Sequence, residues 1–176
     1  MNRVIRKSRA QSSSEVLEML AALFSAELVS PSRCLWLVSP WVSDVEVLDN
    51  SAGTYSALAR FGHRPIRLAE VLVTLASAGA RVIVATTPDS HNDLFLRRLD
   101  LLKQDLRVAE HVEVMIDRTG KLHTKALTGD DYVVAGSMNI TYTGINLREE
   151  QVELHTEQSY VAQARMDAFD RFGGVM

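Results

Sequence analysis

From Ser12 onward the apolar residues Val16, Leu17, Leu20, Leu23, Phe24 and Leu28 recur on one helical face. Ser12 and Glu15 have capping-box spacing and Pro31 breaks the period, so the pattern predicts an amphipathic helix. Residues 33–39 are mostly apolar without alternation, as in a strand covered on both faces, and Pro40 ends it. The helical period returns over residues 66–78 through Leu68, Val71, Leu72, Leu75 and Ala76, with Pro65 before it and Gly79 after. An apolar strand over 82–85 follows. Ser90 and Asp93 can cap a further helix carrying Leu94, Leu101 and Leu102, and 112–116 reads as the next strand.

Strand, helix, strand, helix, strand implies parallel crossovers. Residues 123–128, 132–137 and 150–155 are then strand-like without long helices between them, and 160–172 closes as a helix before Gly173 and Gly174. The expected architecture is one α/β domain over residues 1–176, with a mixed, mostly parallel sheet and helices on both faces. Between Asp44 and Pro65 no period emerges, and this stretch is a plausible substrate loop.

Composition narrows the picture. A 176-residue chain with 47% hydrophobic content can bury a substantial core. Its 19 basic and 22 acidic residues give a formal charge of -3, so no global cationic field advertises a polyanion partner, which must be met locally. Arg3, Arg6, Lys7 and Arg9 form a basic arm within residues 1–11 that reads as a solvated, flexible terminus. The single cysteine, Cys34, excludes an internal disulfide and lies in an apolar run, so it reads as a buried thiol in a reducing cytoplasm. Neither a membrane span of roughly 20 apolar residues nor an apolar secretory leader is evident, and a soluble, cytoplasmic protein is expected.

The chemistry concentrates between Lys121 and Thr141. On a strand, residues two apart share a face, which would put His123 with Lys125, and Ser137 with Asn139 if the second strand stays extended. Gly129, Asp130 and Asp131 supply turn residues between them. A turn with Asp130 at its apex opposes His123 to Ser137, whereas a two-residue turn opposes it to Gly136. Either hairpin gathers an imidazole, an ammonium, a hydroxyl and a carboxamide. That set suits phosphoryl transfer, in which negative charge accumulates on the equatorial oxygens. Lys125 supplies positive charge, Ser137 and Asn139 supply neutral donors, and His123 can attack phosphorus. A second histidine is the natural donor to the leaving oxygen. A nucleophilic imidazole also needs an acceptor for its other nitrogen, and Glu150 is chosen because Val152 and Leu154 alternate with it toward the core. Glu149 and Glu153 compete, since a one-residue slip exchanges the faces.

His123, Lys125, Asp130, Gly136, Ser137 and Asn139 together resemble the signature of the phospholipase D superfamily. Six such residues at fixed spacing arise by accident on the order of a few times in a million chains of this length. The resemblance implies a phospholipase D-like α-β-α sandwich and a metal-independent phosphodiesterase, with His123 as nucleophile, Lys125 and Asn139 on the phosphate, and Asp130 organising the turn. It also implies that Glu150, eleven residues past Asn139, orients the histidine. Ser39, Pro40 and Trp41 look like the family's first strand entering a site-facing loop, so the likeness runs from about Leu35 to Leu154.

Larger members carry the motif twice, whereas His63, His91, His111 and His155 here have no lysine two residues on. The resemblance therefore implies a homodimer with the active site at its twofold interface, each copy supplying one His123. Single-motif size resembles the small bacterial nucleases of the family, and also phospholipase D-like proteins encoded with deazaguanine DNA-modification and phage-restriction systems. A nuclease acting on DNA or RNA is the leading reading. A lipid or small-molecule phosphodiesterase, or a non-hydrolytic nucleic-acid-binding subunit of a larger complex, is the alternative. No cofactor is called for, and no cluster has convincing metal-ligand spacing. Trp41 reads as core or rim packing before base stacking, and Arg97, Arg98 and Lys103 as an ordinary charged helix face before a phosphate track.

Overall fold

The computed structural model describes residues 2–6, 12–147 and 149–176. Its centre is a seven-stranded sheet. The first half of the chain builds the parallel part, in which β2 (Cys34–Val38) pairs with β5 (Arg81–Thr86) and β5 with β6 (Val112–Ile116). The second half adds β7 (Ala126–Thr128), β8 (Val133–Gly136) and β9 (Gln151–His155), each antiparallel to its neighbour, with β7 antiparallel to β2. The sheet is mixed, as the sequence implies, but antiparallel pairs outnumber parallel ones. The tight turn between β7 and β8 allows only antiparallel pairing, and between β8 and β9 stands only the five-residue α4 (Tyr142–Asn146), whereas the earlier strands have long helices between them.

The N-terminus departs from expectation. Asn2–Arg6 is not a free arm but β1, paired antiparallel along β9 from Asn2–His155 to Arg6–Gln151. Ile5 is the reason: it is 2% exposed and joins the main core, while Arg3 forms an exposed ion pair with Glu15 at 3.2 Å. Lys7 and Arg9 lie outside the described residues.

One face of the sheet is covered by α1 (Ser12–Val29), α2 (Leu68–Ser77) and α3 (Asp93–Asp105). Val16, Leu20 and Phe24 of the predicted α1 stripe are fully buried; the cap at Ser12 falls on a side chain outside those described. The other face is covered by α5 (Gln158–Phe172), whose Ala168 and Phe172 close a smaller cluster over Cys34, Trp36 and Ile83. Cys34 is wholly buried, and burial pushes its thiol up to about 11. No helix among the described residues is long and apolar enough to cross a membrane.

Two boundaries moved. The helix expected over 66–78 begins at Leu68, because Pro65–Arg67 is β4, paired with β3 (Glu46–Asp49) in a separate two-stranded ribbon. The stretch from Asp44 to Pro65 is accordingly not an open substrate loop: Val45, Val47, Leu48 and Leu58 are buried, and Ser56–Phe61 forms a short 3-10 helix. Ahead of α3, the cap comes from Asp89, whose carboxylate accepts from the His91 amide, and Ser90–Asn92 is a 3-10 turn. Glu70, at the third position of α2, is 1% exposed and takes up Arg64 and Arg98, each at 2.6 Å, and the Arg67 amide at 2.9 Å. Arg98 also pairs with Asp44, and Lys103 with Asp100, so neither is a free phosphate contact.

Candidate active site

The strand register puts the carboxyl ends of β2, β5, β6 and β8 and the amino ends of β7 and β9 along one edge of the sheet. Such an edge is where open α/β sheets bind ligands. All the motif residues expected to do chemistry lie there, and Asp130 lies at the other edge. Its carboxylate accepts from the Arg33 amide at 2.9 Å and pairs at 2.8 Å with Arg165, a guanidinium only 11% exposed, so Asp130 ties the β7–β8 turn to β2 and α5.

His123 does not sit on a strand. Residues 117–125 are an irregular segment between β6 and β7. It is organised by Asp117, whose carboxylate accepts from Thr119 and, at 2.7 Å, from the Leu122 amide; these bonds hold its pKa below the usual carboxylate range. Leu122 is buried under α5, which fixes the backbone and leaves the next side chain, His123, exposed. The Lys125 ammonium turns back to the His123 carbonyl at 2.8 Å. Partial burial lowers its pKa from the ordinary lysine value, and the Glu150 carboxylate partly opposes that.

The hairpin register is neither of the two anticipated. Thr128 pairs with Val133 and Ala126 with Ala135, which leaves a four-residue turn, Gly129 donating to Tyr132 at 3.0 Å. Extended further, that register would oppose His123 to Met138, but the ladder stops first. It stops because β8 ends at Gly136, where φ is 151° and a Cβ would lie 2.0 Å from the Gln151 carbonyl oxygen. The motif glycine therefore permits close approach of two backbones. Beyond it Ser137 and Asn139 diverge instead of sharing a strand face. Ser137 is exposed, donates to the Glu150 carboxylate and accepts from the Gln151 amide at 3.0 Å. Asn139 is 7% exposed, and its carbonyl oxygen accepts from the Ser39 hydroxyl at 3.1 Å. Gly136→Ala should cost about 2–4 kcal/mol of stability and disturb the Ser137–Glu150 contact, since backbone must move on both strands; denaturant unfolding beside an assay of the folded variant checks this.

Glu150 faces the site edge, and Glu153 lies on the other face of β9 with His155, 3.1 Å away. The Glu150 carboxylate is bonded to Ser137, not to the His123 imidazole. The orienting bond expected of Glu150 is thus absent here; the carboxylate instead takes up Ser137 and acts electrostatically on Lys125.

Three residues were undervalued by the sequence. Asn92 is fully buried and locks two loops: its amide donates to the carbonyls of Pro40 at 3.0 Å and Thr87 at 2.8 Å, and its oxygen accepts from the Val42 amide. Val42 in turn bridges to Ile140. Trp41 and His91 then line one cleft of about 280 Å3 together with Asn139 and Glu150. A histidine without a following lysine gave no signal, and only the packing of two loop ends reveals it. A larger groove of about 880 Å3 runs between Leu17, Arg67, Leu94 and Arg97, but no motif residue lines it, whereas Asn139 and Glu150 line the smaller cleft. Among the described residues no group of histidine, cysteine and carboxylate side chains is arranged to hold a metal ion.

Sheet order, the two covered faces and the motif at one strand edge define a phospholipase D-like fold. NucT from Helicobacter pylori has it over 99% of both chains, with a TM-score of 0.61 and 14% identity. Nuc from Salmonella typhimurium, a phospholipase D family member, matches 98% of this chain and 93% of its own at a TM-score of 0.57 and 11% identity. A phosphatidylserine synthase from Haemophilus influenzae reaches 0.62 at 16% identity; this chain spans 37% of its length. No family model and no curated protein sequence matches the chain.

Proposed function

We propose that the protein is a phosphodiesterase that cleaves nucleic acid, in first place DNA, through a phosphohistidine. The observation that carries this reading is the placement of Lys125, Ser137, Asn139 and Glu150 along one strand edge beside the exposed His123, with Asn139 and Glu150 lining one cleft. Lys125 and the Asn139 amide hold the equatorial oxygens, with Ser137 as a further donor. The imidazole of His123 attacks phosphorus, the phosphorus–oxygen bond to the departing strand breaks, and a second imidazole gives that oxygen a proton. Water then attacks the phosphohistidine, losing a proton to the same second imidazole. Glu150, released from Ser137 once Ser137 binds phosphate, orients the nucleophile.

One motif makes half of such a site. A homodimer with its twofold axis beside His123 supplies the second imidazole, and the exposure of His123 suits that pairing. Specific activity should then fall on dilution as dimers dissociate, and mixing with excess His123→Ala protein should suppress it further. Rates that stay proportional to enzyme while the protein sediments as a monomer would remove the dimer. A cytoplasmic role in restricting foreign or unmodified DNA fits this chemistry.

The lipid reading requires an apolar path to Asn139, and the cleft there is lined instead by Asp89, His91, Thr141, Thr143 and Glu150. Incubation of labelled DNA, RNA and a lipid diester in chelator decides among the readings. Nucleic-acid cleavage supports this one, cleavage of lipid alone replaces it, and binding without cleavage points to the subunit role.

A further inference from the structure

We propose that the cleft beside Asn139 is a nucleoside subsite, which holds the base and sugar adjoining the phosphate that His123 attacks. It rests on the phosphodiesterase reading and specifies its substrate. Trp41, Asp89, His91, Thr143, Asn139 and Glu150 line the cleft. Among the described linings are two carboxylates and no lysine or arginine. A phosphate would be repelled from its middle and belongs outside it with Lys125, so the cleft suits a neutral group that presents N–H and O–H donors. A nucleobase and sugar have that chemistry.

The walls are also preorganised. Trp41 is 39% exposed, yet its indole N–H donates to Asp89 at 3.1 Å, and the other Asp89 oxygen is held by the His91 amide at 2.9 Å. The His91 ring bonds the Ser43 hydroxyl at 3.0 Å through Nε2, which leaves Nδ1 for a ligand. An exposed aromatic anchored in this way loses little entropy when a base stacks on it. A lipid-type ammonium is the poorer occupant: cages for such cations enclose them with several aromatic faces, and among the described linings only Trp41 is one.

The test compares kcat/KM, in chelator, for p-nitrophenyl esters of nucleoside monophosphates, bis(p-nitrophenyl) phosphate and p-nitrophenyl phosphorylcholine. Wild type, Trp41→Ala and Trp41→Phe are used, with circular dichroism to verify folding. Wild type should favour the nucleoside esters over bis(p-nitrophenyl) phosphate by about tenfold, the order of one base–aromatic stack. Trp41→Ala should erase that ratio through KM, and Trp41→Phe, which keeps a ring but not the N–H, should retain most of it. Thr143→Val, on another element lining the cleft, should lower the same ratio. Equal ratios in wild type and Trp41→Ala, or a preference for phosphorylcholine, would overturn the subsite while leaving a phosphodiesterase. A wild type that cleaves none of the three overturns both.

Discussion

His123→Ala is expected to lower cleavage of labelled DNA by on the order of ten-thousandfold to a millionfold, because removing a nucleophile removes the whole covalent route. The fold should survive. His123 is exposed on a segment whose anchors are Leu122 and Asp117, and an exposed substitution of this kind costs within about 0.5 kcal/mol. Loss of activity with an unchanged melting temperature therefore isolates chemistry from folding. Rapid quenching of wild type should also trap acid-labile phosphate on His123. Phosphate trapped on another residue, or a His123→Ala protein that keeps its rate, would sink the mechanism.

The second large effect concerns stability. Glu70→Ala should cost about 3–5 kcal/mol, since it strips the shared carboxylate from Arg64 and Arg98 and from the Arg67 amide at the start of α2. Burial alone would raise the Glu70 pKa, but the bonds from Arg64, the Arg67 amide and Arg98 outweigh it and hold the carboxyl below its usual range. A depressed carboxyl stabilises above the unfolded value of about 4.3 and loses that contribution as pH falls through the folded one. The gap between wild type and variant should stay level from neutral pH to about pH 5 and narrow below pH 4. Chemical denaturation across that range measures it; a gap that widens in acid would contradict the assignment.

Much of this was legible in sequence because it depends on local periodicity or on fixed spacing. The helix over α1, the strands β2, β5 and β6 and the closing helix α5 follow from runs long enough to reveal their period. The placement of Glu150 and Glu153 on opposite faces followed from alternation with Val152. Where local rules failed, a distant partner decided. Asn2–Arg6 is a strand because β9 offers an edge, and Pro65–Arg67 is one because β3 does. Neither edge is visible from the segment itself.

By itself, then, the sequence determined the α/β class and marked His123, Lys125, Ser137 and Asn139 as the candidates for phosphoryl transfer, since residue chemistry and short spacings are local properties. Only the tertiary structure decided how they meet. Gly136, pressed against the Gln151 carbonyl, ends the hairpin and sends Ser137 toward Glu150 and Asn139 toward Ser39. The buried Asn92 pins two loops so that Trp41 and His91 stand beside Asn139. Contacts across 50 to 100 residues of chain carry no periodic signal, because their geometry exists only once the sheet has brought those strand ends together.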